Sequence, residues 1–316
     1  MLNKKERYKQ FCHDNEEIPF FSQYGWLNCV CGEKNWDIVF IEKDHKIVAT
    51  MPYYITSKMF FSMILMPKLT QTMGPYIVYP KGQKNERKLS YEKEIMTGLI
   101  EKLPQVDFFF QNFHKSISNW LPFKWKGFEQ TTNYTYVLED LSDLDKVFRN
   151  FRSNIKTDIK KARKIINIKE DSDLELFYKI NKMTFDRQKM SIPYSLKWLN
   201  TLDIHCQKND CRKIFMGYDN QENLHAAIYV VWDNQTMYYL MSGGDPLYRN
   251  SGATSLLLWE AIQFAAQKNL KFDFEGSMIE PIERVFRAFG ATQVPYFRVM
   301  KSKNKFIKLL LMLYKG

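Results

Sequence analysis

The sequence predicts an α/β (α+β) protein of two tandem domains, each with a mixed, mostly antiparallel sheet flanked by helices. Two observations lead to this prediction. The chain has 316 residues, of which 45% are hydrophobic and 16% aromatic, and this suffices for two cores of ordinary size. Both halves also repeat one order of elements: a three-stranded meander, a loop, a helix, a strand, a second helix and a last strand.

The first half begins with strand patterns. The segments WDIVFIE and IVATMPYYIT are separated by the turn DHK and predict a hairpin, and MFFSMILM predicts a third strand. The segment NERKLSYEKEIMTGLIEKL carries Ile95, Leu99 and Leu103 at helical spacing and predicts a helix. The apolar runs VDFFFQNF and TTNYTYVL then predict two further strands.

The second half follows the same order. RKIFMGY, NLHAAIYVVW and TMYYLMSGG predict a meander, and SLLLWEAIQFAAQK predicts a helix with an apolar stripe. LKFDFEGS predicts the next strand. Ser277 and Glu280 form a capping-box pattern for a helix that ends at Gly290, and PYFRVM predicts the last strand.

A basic segment from Lys146 to Lys169 joins the halves. It carries nine Lys and Arg residues against a single Asp. Two further helices are expected around residues 174–185 and 196–206. We therefore expect an N-terminal domain at residues 1–140, a C-terminal domain at residues 141–300 and a basic, apolar tail at residues 301–316. One amphipathic helix is predicted at the junction from apolar residues at helical spacing, namely Leu144, Phe148, Phe151, Ile155 and Ile159.

Charge and cysteine usage limit the class of protein. The formal net charge of +11 favours an anionic partner, and nucleic acid, anionic lipid and phosphorylated small molecules all stay open. The five cysteines form no CxxC pair and the histidines are scattered, so we expect reduced thiols, no metal and a cytoplasmic location. No apolar run reaches the roughly 20 residues of a membrane span. The tail KSKNKFIKLLLMLYKG leaves peripheral contact with an anionic membrane open.

The stretch YYLMSGGDPLYRNSGATSLLLWEAI is the most informative. A strand ends near Gly243, a short loop presents Arg249, and Gly252 opens a long helix. A helix N-terminus leaves backbone N–H groups unpaired and carries partial positive charge. The small residues Ser251, Gly252 and Ala253 allow a diphosphate to approach those groups. The alternative is a glycine-initiated helix beside a surface arginine.

This stretch resembles the pyrophosphate loop of the GNAT-superfamily acyltransferases, which reads Gln/Arg-x-x-Gly-x-Gly/Ala between a strand and a helix. Arg249 and Gly252 match the first two marked positions, and Thr254 replaces the last Gly/Ala. The resemblance implies an acyl-CoA donor, with acetyl-CoA as the first candidate, and no metal. The donor-binding residues it implies are Met241, Ser242, Gly243, Arg249, Asn250, Ser251, Gly252, Ala253 and Thr254.

The chain is further similar to the Fem-like branch, which pairs two GNAT domains and includes aminoacyltransferases of the peptidoglycan bridge. FRSNIKTDIKKARKI resembles the basic helix that opens the branch's second domain, MTFDRQKMSIPYS its Thr-x-x-Arg element, and FDFEGSMIEPIERVFRAFGATQVPYFRV its final strand–helix–strand. The resemblance implies that the first half is a degenerate copy and that Thr184 and Arg187 contact the acceptor. Arg152 and Lys156 of the basic run are added as substrate-binding candidates, with a solvated helix face as their alternative.

Acyl transfer to an amine benefits from a base that removes the amine's proton. Alternation along LKFDFEGS places Asp273 and Glu275 on one face, and Glu275 is the first candidate and Asp273 the second. A solvated carboxylate is the alternative for both. Of Tyr238 and Tyr239, one is expected in the core, and the other, for which Tyr239 is our candidate, protonates the departing thiolate. The backbone of residues 241–243 is the expected oxyanion donor.

Three functions therefore stay open. The first is an N-acyltransferase that moves an acyl group from acyl-CoA to a small-molecule or cell-wall-precursor amine. The second keeps the fold but uses aminoacyl-tRNA as donor and a peptidoglycan precursor as acceptor, which the charge of +11 and the imperfect loop favour. The third is a non-catalytic basic scaffold that binds nucleic acid or membrane.

Overall fold

The computed structural model describes residues 2–58, 60–170 and 173–303. The described chain divides into two compact units. The first contains the chain up to Asn133 and from Pro295 onward, and the second contains Tyr134–Val294. Residues 295–300, which the sequence assigns to the C-terminal domain, lie in the first unit because the strand Thr292–Ser302 pairs there with Phe108–Asn112. The predicted tail lies, from residue 304 onward, outside the described residues.

The described ranges contain strands and α-helices in a mixed order, as the α/β (α+β) prediction requires. The strands are β1 (Trp36–Lys43), β2 (Lys46–Lys58), β3 (Phe61–Leu65), β4 (Tyr76–Ile77), β5 (Phe108–Asn112), β6 (Glu129–Leu138), β7 (Asn167–Glu170), β8 (Arg212–Tyr218), β9 (Leu224–Trp232), β10 (Thr236–Gly244), β11 (Lys271–Asp273) and β12 (Thr292–Ser302). The helices are α1 (Lys4–Asp14), α2 (Tyr24–Cys31), α3 (Asn85–Lys102), α4 (Leu121–Trp125), α5 (Leu144–Asn150), α6 (Ser153–Ala162), α7 (Leu174–Arg187), α8 (Leu196–Lys208), α9 (Ala253–Gln267) and α10 (Glu280–Ala288).

The first unit is built on a sheet in the order β1-β2-β3-β5-β12, with β4 beside β2. Its pairs are antiparallel except for β3 with β5. The predicted hairpin of β1 and β2 is confirmed. Asp44 and His45 connect its strands with φ of 50° and 62°, the left-handed conformation that a two-residue hairpin turn requires. The predicted helix α3 is also confirmed, and its residues Ile95 and Leu99 are buried in this unit's core.

Helices α1 and α2 were not predicted. The first carries a local signal, because the Asn3 side chain accepts a hydrogen bond from the Glu6 backbone N–H while the Glu6 carboxylate accepts one from the Asn3 N–H. This reciprocal capping box is visible in the segment NKKE. The helix buries Tyr8 and Phe11, whose wide spacing among charged residues hides its apolar face.

The second unit has a sheet in the order β6-β11-β10-β9-β8-β7. The predicted meander of β8, β9 and β10 is confirmed, and the pair β10 with β11 is parallel. Helix α9 packs against β8 and β9 with buried side chains on most of its surface, including Leu257, Leu258 and Ile262. Complete burial of such leucine and isoleucine side chains contributes about 1.5–3 kcal/mol each, so α9 is held mainly by its core. None of the helices in the described ranges has the length and apolar character of a membrane span.

The junction is two helices and a strand, so the prediction of one amphipathic helix is wrong. Helix α5 ends at Asn150 and α6 begins at Ser153, because Phe151 and Arg152 have extended backbones. Phe151 packs edge-on against Trp259 and Phe289 in the core, and the Arg152 N–H donates to the Ala288 carbonyl. The aromatic packing therefore requires the chain to leave the helix at this point. Strand β7, which follows, was not predicted.

Two further boundaries differ from the prediction. Strand β11 ends at Asp273 rather than continuing through LKFDFEGS, because Glu275 and Gly276 adopt positive φ of 60° and 65°. Helix α10 begins at Glu280, but the Ser277 hydroxyl accepts from the Ile279 N–H two residues on, so the predicted capping box does not form. The predicted helix end is confirmed, since Gly290 follows with φ of 72°.

Candidate functional site

The loop between β10 and α9 holds its shape through its own hydrogen bonds. The Asp245 carboxylate accepts from the Leu247 N–H at 2.8 Å and caps a single 3-10 turn, Pro246–Tyr248. The Ser251 N–H then donates to the Tyr248 carbonyl at 2.9 Å. This turn leads directly into the N-terminus of α9, and it leaves Arg249 exposed on the surface.

The first turn of α9 leaves backbone donors open. The Ala253 N–H donates to the Ser251 hydroxyl at 3.2 Å, and the Leu256 N–H donates to the Gly252 carbonyl at 3.1 Å. The N–H groups of Thr254 and Ser255 have no acceptor among the described residues. The helix dipole adds partial positive charge at the same place, so this end of α9 is suited to an anion.

Gly252 is required by packing as well as by its backbone conformation. It has φ of 81°, and a Cβ atom here would lie 2.5 Å from the Asp158 carbonyl oxygen in α6. The Lys161 ammonium of the same helix donates to the Asn250 carbonyl at 2.6 Å. Helix α6 therefore fixes both the start of α9 and the preceding loop. The sequence predicts a small residue at 252 for the approach of a phosphate, whereas the close neighbour in the structure is a helix backbone.

Gly243 is likewise covered by a helix. A Cβ atom at this position would lie 2.4 Å from the Asn181 backbone nitrogen in α7. The Asn181 side-chain amide donates to the Ser242 carbonyl at 2.6 Å, and the Tyr194 hydroxyl donates to the Asn181 side-chain oxygen at 2.8 Å. Helix α7 is thus fixed on the end of β10. Thr184 lies about one turn further along the helix on the same face.

These elements enclose a cavity of about 490 Å³ within the second unit. It brings together most of the residues that the sequence singled out for the donor, and it adds Thr184 and Arg187, which the sequence assigned to the acceptor. The predicted residues that line it are Thr184, Arg187, Ser242, Gly243, Arg249, Asn250, Ser251, Gly252, Ala253 and Thr254. Met241 does not line the cavity.

The cavity is lined by charges of both signs, and its two arginines form no ion pair with another described residue. Both arginines, Arg187 and Arg249, are exposed. Asp158 and Asp245 supply the negative charges, and the Asp245 carboxylate is engaged in capping the 3-10 turn. The cavity thus offers two arginines and two free backbone N–H groups, a set of donors that matches a diphosphate.

Sequence reasoning missed His225 and Tyr248, which also line the cavity. Their rings are stacked with centroids 4.0 Å apart and planes 3° from parallel. His225 falls inside an apolar strand pattern and Tyr248 inside a loop, so no local signal in the sequence marks either residue.

Asp273 performs a structural role at the end of β11. It is 2% exposed, and its Oδ1 atom accepts from the Thr135 hydroxyl at 2.5 Å and from the Glu275 N–H at 2.9 Å. These bonds hold the turn in which Glu275 and Gly276 have positive φ. A Cβ atom at Gly276 would lie 2.2 Å from the Tyr134 carbonyl oxygen, so the turn packs directly on β6.

The Glu275 side chain is a buried carboxyl on that turn. The residue is partly exposed, but its Oε1 atom is buried and has no hydrogen-bond partner among the described residues. Burial, with a further contribution from Asp273, raises the pKa of Glu275 well above its ordinary value. The predicted alternation with Asp273 does not hold, because the strand ends before Glu275. Neither carboxylate lines the cavity beside α9.

The two tyrosines of β10 differ as the sequence suggested. Tyr238 is buried and its hydroxyl donates to Asp233 at 3.2 Å, so it is the core member of the pair. Tyr239 is half-buried, and burial raises the pKa of its hydroxyl to about 12. The pairing of β10 with β11 stops at Tyr238 opposite Asp273, so β10 continues beyond its parallel neighbour. The two strands part where Tyr239 begins.

Arg152 and Lys156 do not line the cavity. Arg152 is exposed just before α6, and the Lys156 ammonium donates to the Arg149 carbonyl at 3.0 Å. Further along this basic segment, four exposed cations form no ion pair with another described residue, namely Lys160, Lys161, Arg163 and Lys164. No group of three or more His, Cys, Asp or Glu side chains in the described ranges is arranged to hold a metal ion.

Comparison with known proteins finds a family model that matches part of the second unit. Residues 149–278 match the sequence model of the acetyltransferase (GNAT) domain. Among solved structures, FemX is similar with a TM-score of 0.69 and 10% identity, covering 94% of this chain and 96% of that one. L-PGS from Bacillus licheniformis is similar with a TM-score of 0.56 and 9% identity, covering 97% and 95%. A tandem GNAT protein from the clavulanic acid biosynthesis pathway has a TM-score of 0.55 and 8% identity, covering 95% of each. No curated protein matches this chain at a significant level. These similarities show a shared fold.

Proposed function

We propose that this chain, whose residues 149–278 match the model of the acetyltransferase (GNAT) domain, transfers an acyl group from acyl-CoA to an amine. The observation that carries the proposal is the cavity at the N-terminus of α9, where free backbone N–H groups and unpaired arginines converge. Residues 1–140 remain proposed as a degenerate copy of the domain. Of residues 141–300, the part that lies in the second unit, up to Val294, is proposed as the donor-binding domain, and every residue that lines the cavity falls in it.

The donor's diphosphate would be held by four groups. The N–H groups of Thr254 and Ser255 donate to its oxygens, and Arg249 and Arg187 neutralise its charge. Because Arg187 lines the same cavity as Arg249, we now assign Thr184 and Arg187 to the donor rather than to the acceptor. Each charge-assisted hydrogen bond of this kind contributes about 1.5–3 kcal/mol.

The acyl end of the donor would follow β10 away from the diphosphate. Beyond Tyr238 this strand has β9 on one side only, and alternate N–H groups of such a strand point away from its partner. One N–H within residues 241–243 would then donate to the thioester oxygen and stabilise the negative charge that develops there. This explains how Met241 can contribute through its backbone although its side chain is buried.

The chemical step would be attack of the neutral amine on the thioester carbonyl. The C–N bond forms, the C–S bond breaks, the amine's proton goes to Glu275, and the thiolate receives a proton from Tyr239. Because the pKa of Glu275 is raised, this carboxyl accepts a proton readily once it is ionised. Asp273, whose Oδ1 holds the backbone of Glu275, is proposed as a positioning residue rather than as a base.

Calorimetric titration with coenzyme A and with acetyl-CoA tests the proposal. Arg249→Ala is expected to weaken binding about tenfold to a hundredfold, the equivalent of one charge-assisted hydrogen bond. Arg284→Ala is the matched control, because Arg284 is exposed on α10 and does not line the cavity. A bulky substitution of Gly252 is unsuitable, since it would displace α6. Equal affinities of the two variants, or no binding to the unsubstituted protein, would contradict the proposal.

Aminoacyl-tRNA is the second candidate donor, with a peptidoglycan precursor as acceptor. The observation in its favour is the set of unpaired cations in the last turn of α6 and just after it, together with Arg152 and Lys156 near its start. Phosphates of a nucleic acid bind such a surface in a salt-dependent manner. A gel-shift titration with tRNA, repeated on Lys160→Glu and Lys164→Glu, decides this candidate. Loss of tRNA binding in these variants, with no binding of coenzyme A, would select it.

A non-catalytic scaffold is the remaining alternative. For a scaffold, Arg249→Ala should leave binding of the partner intact, and charge reversal at Lys160 and Lys164 should abolish it. Anionic vesicles and duplex DNA are the probes for this role, because both would bind the basic segment without need of the cavity. Acyl transfer measured with any amine would exclude it.

A further inference from the structure

His225 is a buried polar side chain of the cavity that the proposed function does not use. It lies in β9, is 6% exposed and is one of the cavity-lining residues. Its Nδ1 atom is buried and has no hydrogen-bond partner among the described residues. Buried polar atoms in folded proteins nearly always have a partner. The Nδ1 atom is therefore a candidate contact for the molecule that occupies the cavity.

Asp219 determines which ring nitrogen of His225 carries a hydrogen. The Asp219 carboxylate accepts from the backbone N–H groups of Gln221 and Asn223, both at 2.9 Å, and from the Asn223 side-chain amide at 3.0 Å. These bonds, above all that from the Asn223 amide, lower the pKa of Asp219 to about 2. The carboxylate is therefore ionised and can only accept, so the His225 Nε2–H, 3.1 Å from its Oδ2 atom, is the donor.

The consequence for Nδ1 follows from imidazole chemistry. In the neutral ring with a hydrogen on Nε2, the Nδ1 atom is an acceptor. When the ring takes up a proton, Nδ1 becomes an N–H donor and the Asp219 carboxylate stabilises the new charge. The Nδ1 atom of His225 therefore changes from an acceptor to a donor by gaining one proton.

His225 is also joined to the donor-binding loop. Its ring is stacked on Tyr248, which directly precedes Arg249, and its carbonyl accepts from the Asp245 N–H at 3.0 Å. These contacts hold the imidazole in a fixed place beside the loop. Arg249 thus directly follows a residue whose ring is stacked on the imidazole.

The elements around His225 contribute charges of both signs. Two arginines attract a polyanion, and three carboxylates lie on neighbouring elements. The groups are Asp219 from the β8–β9 turn, Asp158 from α6, Arg187 from α7, and Asp245, Tyr248 and Arg249 from the loop after β10.

We propose that His225 is a proton-linked contact to the diphosphate of the donor. When the diphosphate enters the cavity, the imidazole takes up one proton from solvent at Nδ1, and the new N–H donates to a phosphate oxygen. The proton returns to solvent when the donor leaves. This inference rests on the proposed function, because it needs an anionic donor in this cavity. Binding is accordingly tightest at low pH and weakens as the pH rises.

The experiment uses dephospho-coenzyme A, whose diphosphate bridge carries no group that titrates near neutrality. Calorimetric titrations at about pH 6, 7 and 8, each in two buffers of different ionisation enthalpy, measure both affinity and proton uptake. The unsubstituted protein is expected to bind about tenfold more tightly at the lowest pH than at the highest, with net uptake of protons. Equal affinity across this range without proton uptake would overturn the inference.

Two variants separate His225 from the rest of the site. His225→Gln keeps an amide that can reach Asp219 but has no titrating nitrogen, so its affinity is expected to be independent of pH. Arg249→Ala is expected to bind more weakly while keeping the pH dependence. A pH dependence that persists in His225→Gln contradicts the inference alone. If the unsubstituted protein binds at no pH, the proposed function itself fails. Should His225→Gln not fold, as judged by thermal unfolding, Asp219→Asn is the second variant, and unchanged proton uptake in it would contradict the inference.

Discussion

Substitution of Gly252 by alanine tests whether α6 fixes the start of α9. The new Cβ would lie 2.5 Å from the Asp158 carbonyl oxygen and 3.0 Å from its carbonyl carbon, both backbone atoms that cannot rotate aside. A non-glycine residue with φ near 81° costs about 1–2 kcal/mol, and overpacking costs about 1–3 kcal/mol more. We therefore expect Gly252→Ala to lower the free energy of unfolding by about 2–5 kcal/mol.

Gly290→Ala is the matched control for this prediction. Gly290 also lies in the second unit and at a helix end, and its φ is 72°, but its nearest neighbour would be 3.1 Å from the new Cβ. We expect it to cost about 1–2 kcal/mol, since the strained backbone dominates. Urea unfolding followed by circular dichroism measures both variants. Equal losses in the two variants would refute the claim that the backbone of α6 packs against residue 252.

Three further predictions concern the site. Glu275→Gln should lower kcat/KM about a hundredfold. It should also remove the rise in rate that the unsubstituted protein shows as the pH increases through the raised pKa of this carboxyl, and an unchanged pH–rate profile would exclude Glu275 as the base. Lys161→Met should weaken coenzyme A binding about three- to tenfold, because the loop loses the bond to the Asn250 carbonyl, and Lys161→Arg should restore most of it; equal calorimetric affinities would show that this bond does not matter. Asp273→Ala should lower the free energy of unfolding by about 2–4 kcal/mol, because the Thr135 hydroxyl and the Glu275 N–H lose their acceptor, and a thermal unfolding temperature equal to that of the unsubstituted protein would contradict this.

The sequence predicts those elements whose signal is local. The β1–β2 hairpin, α3 and the meander of the second unit follow from periodicity and turn residues within one window. The strand–loop–helix from β10 to α9 follows from its glycines and its arginine. All six residues from Arg249 to Thr254 line the cavity, and two residues of α7 line it as well. Local patterns therefore located the loop that lines the cavity.

Features that depend on distant contacts were not predictable. Helix α5 ends before Phe151 because that side chain packs on Phe289, which is far away in sequence. Strand β11 ends early because the Glu275 N–H donates to the Asp273 carboxylate instead of pairing with a neighbouring strand. In the sequence, His225 is indistinguishable from the other residues of a core strand. Only the fold shows that its ring forms a hydrogen bond with Asp219 and stacks on Tyr248.

The central claim is that the N-terminus of α9 binds the donor's diphosphate through backbone N–H groups. Hydrogen exchange of the Thr254 and Ser255 amides, measured with and without coenzyme A, tests it most directly, because these amides have no acceptor among the described residues. We expect both to exchange rapidly in the free protein and to become protected when coenzyme A is bound. Binding of coenzyme A that leaves both amides unprotected would contradict the account.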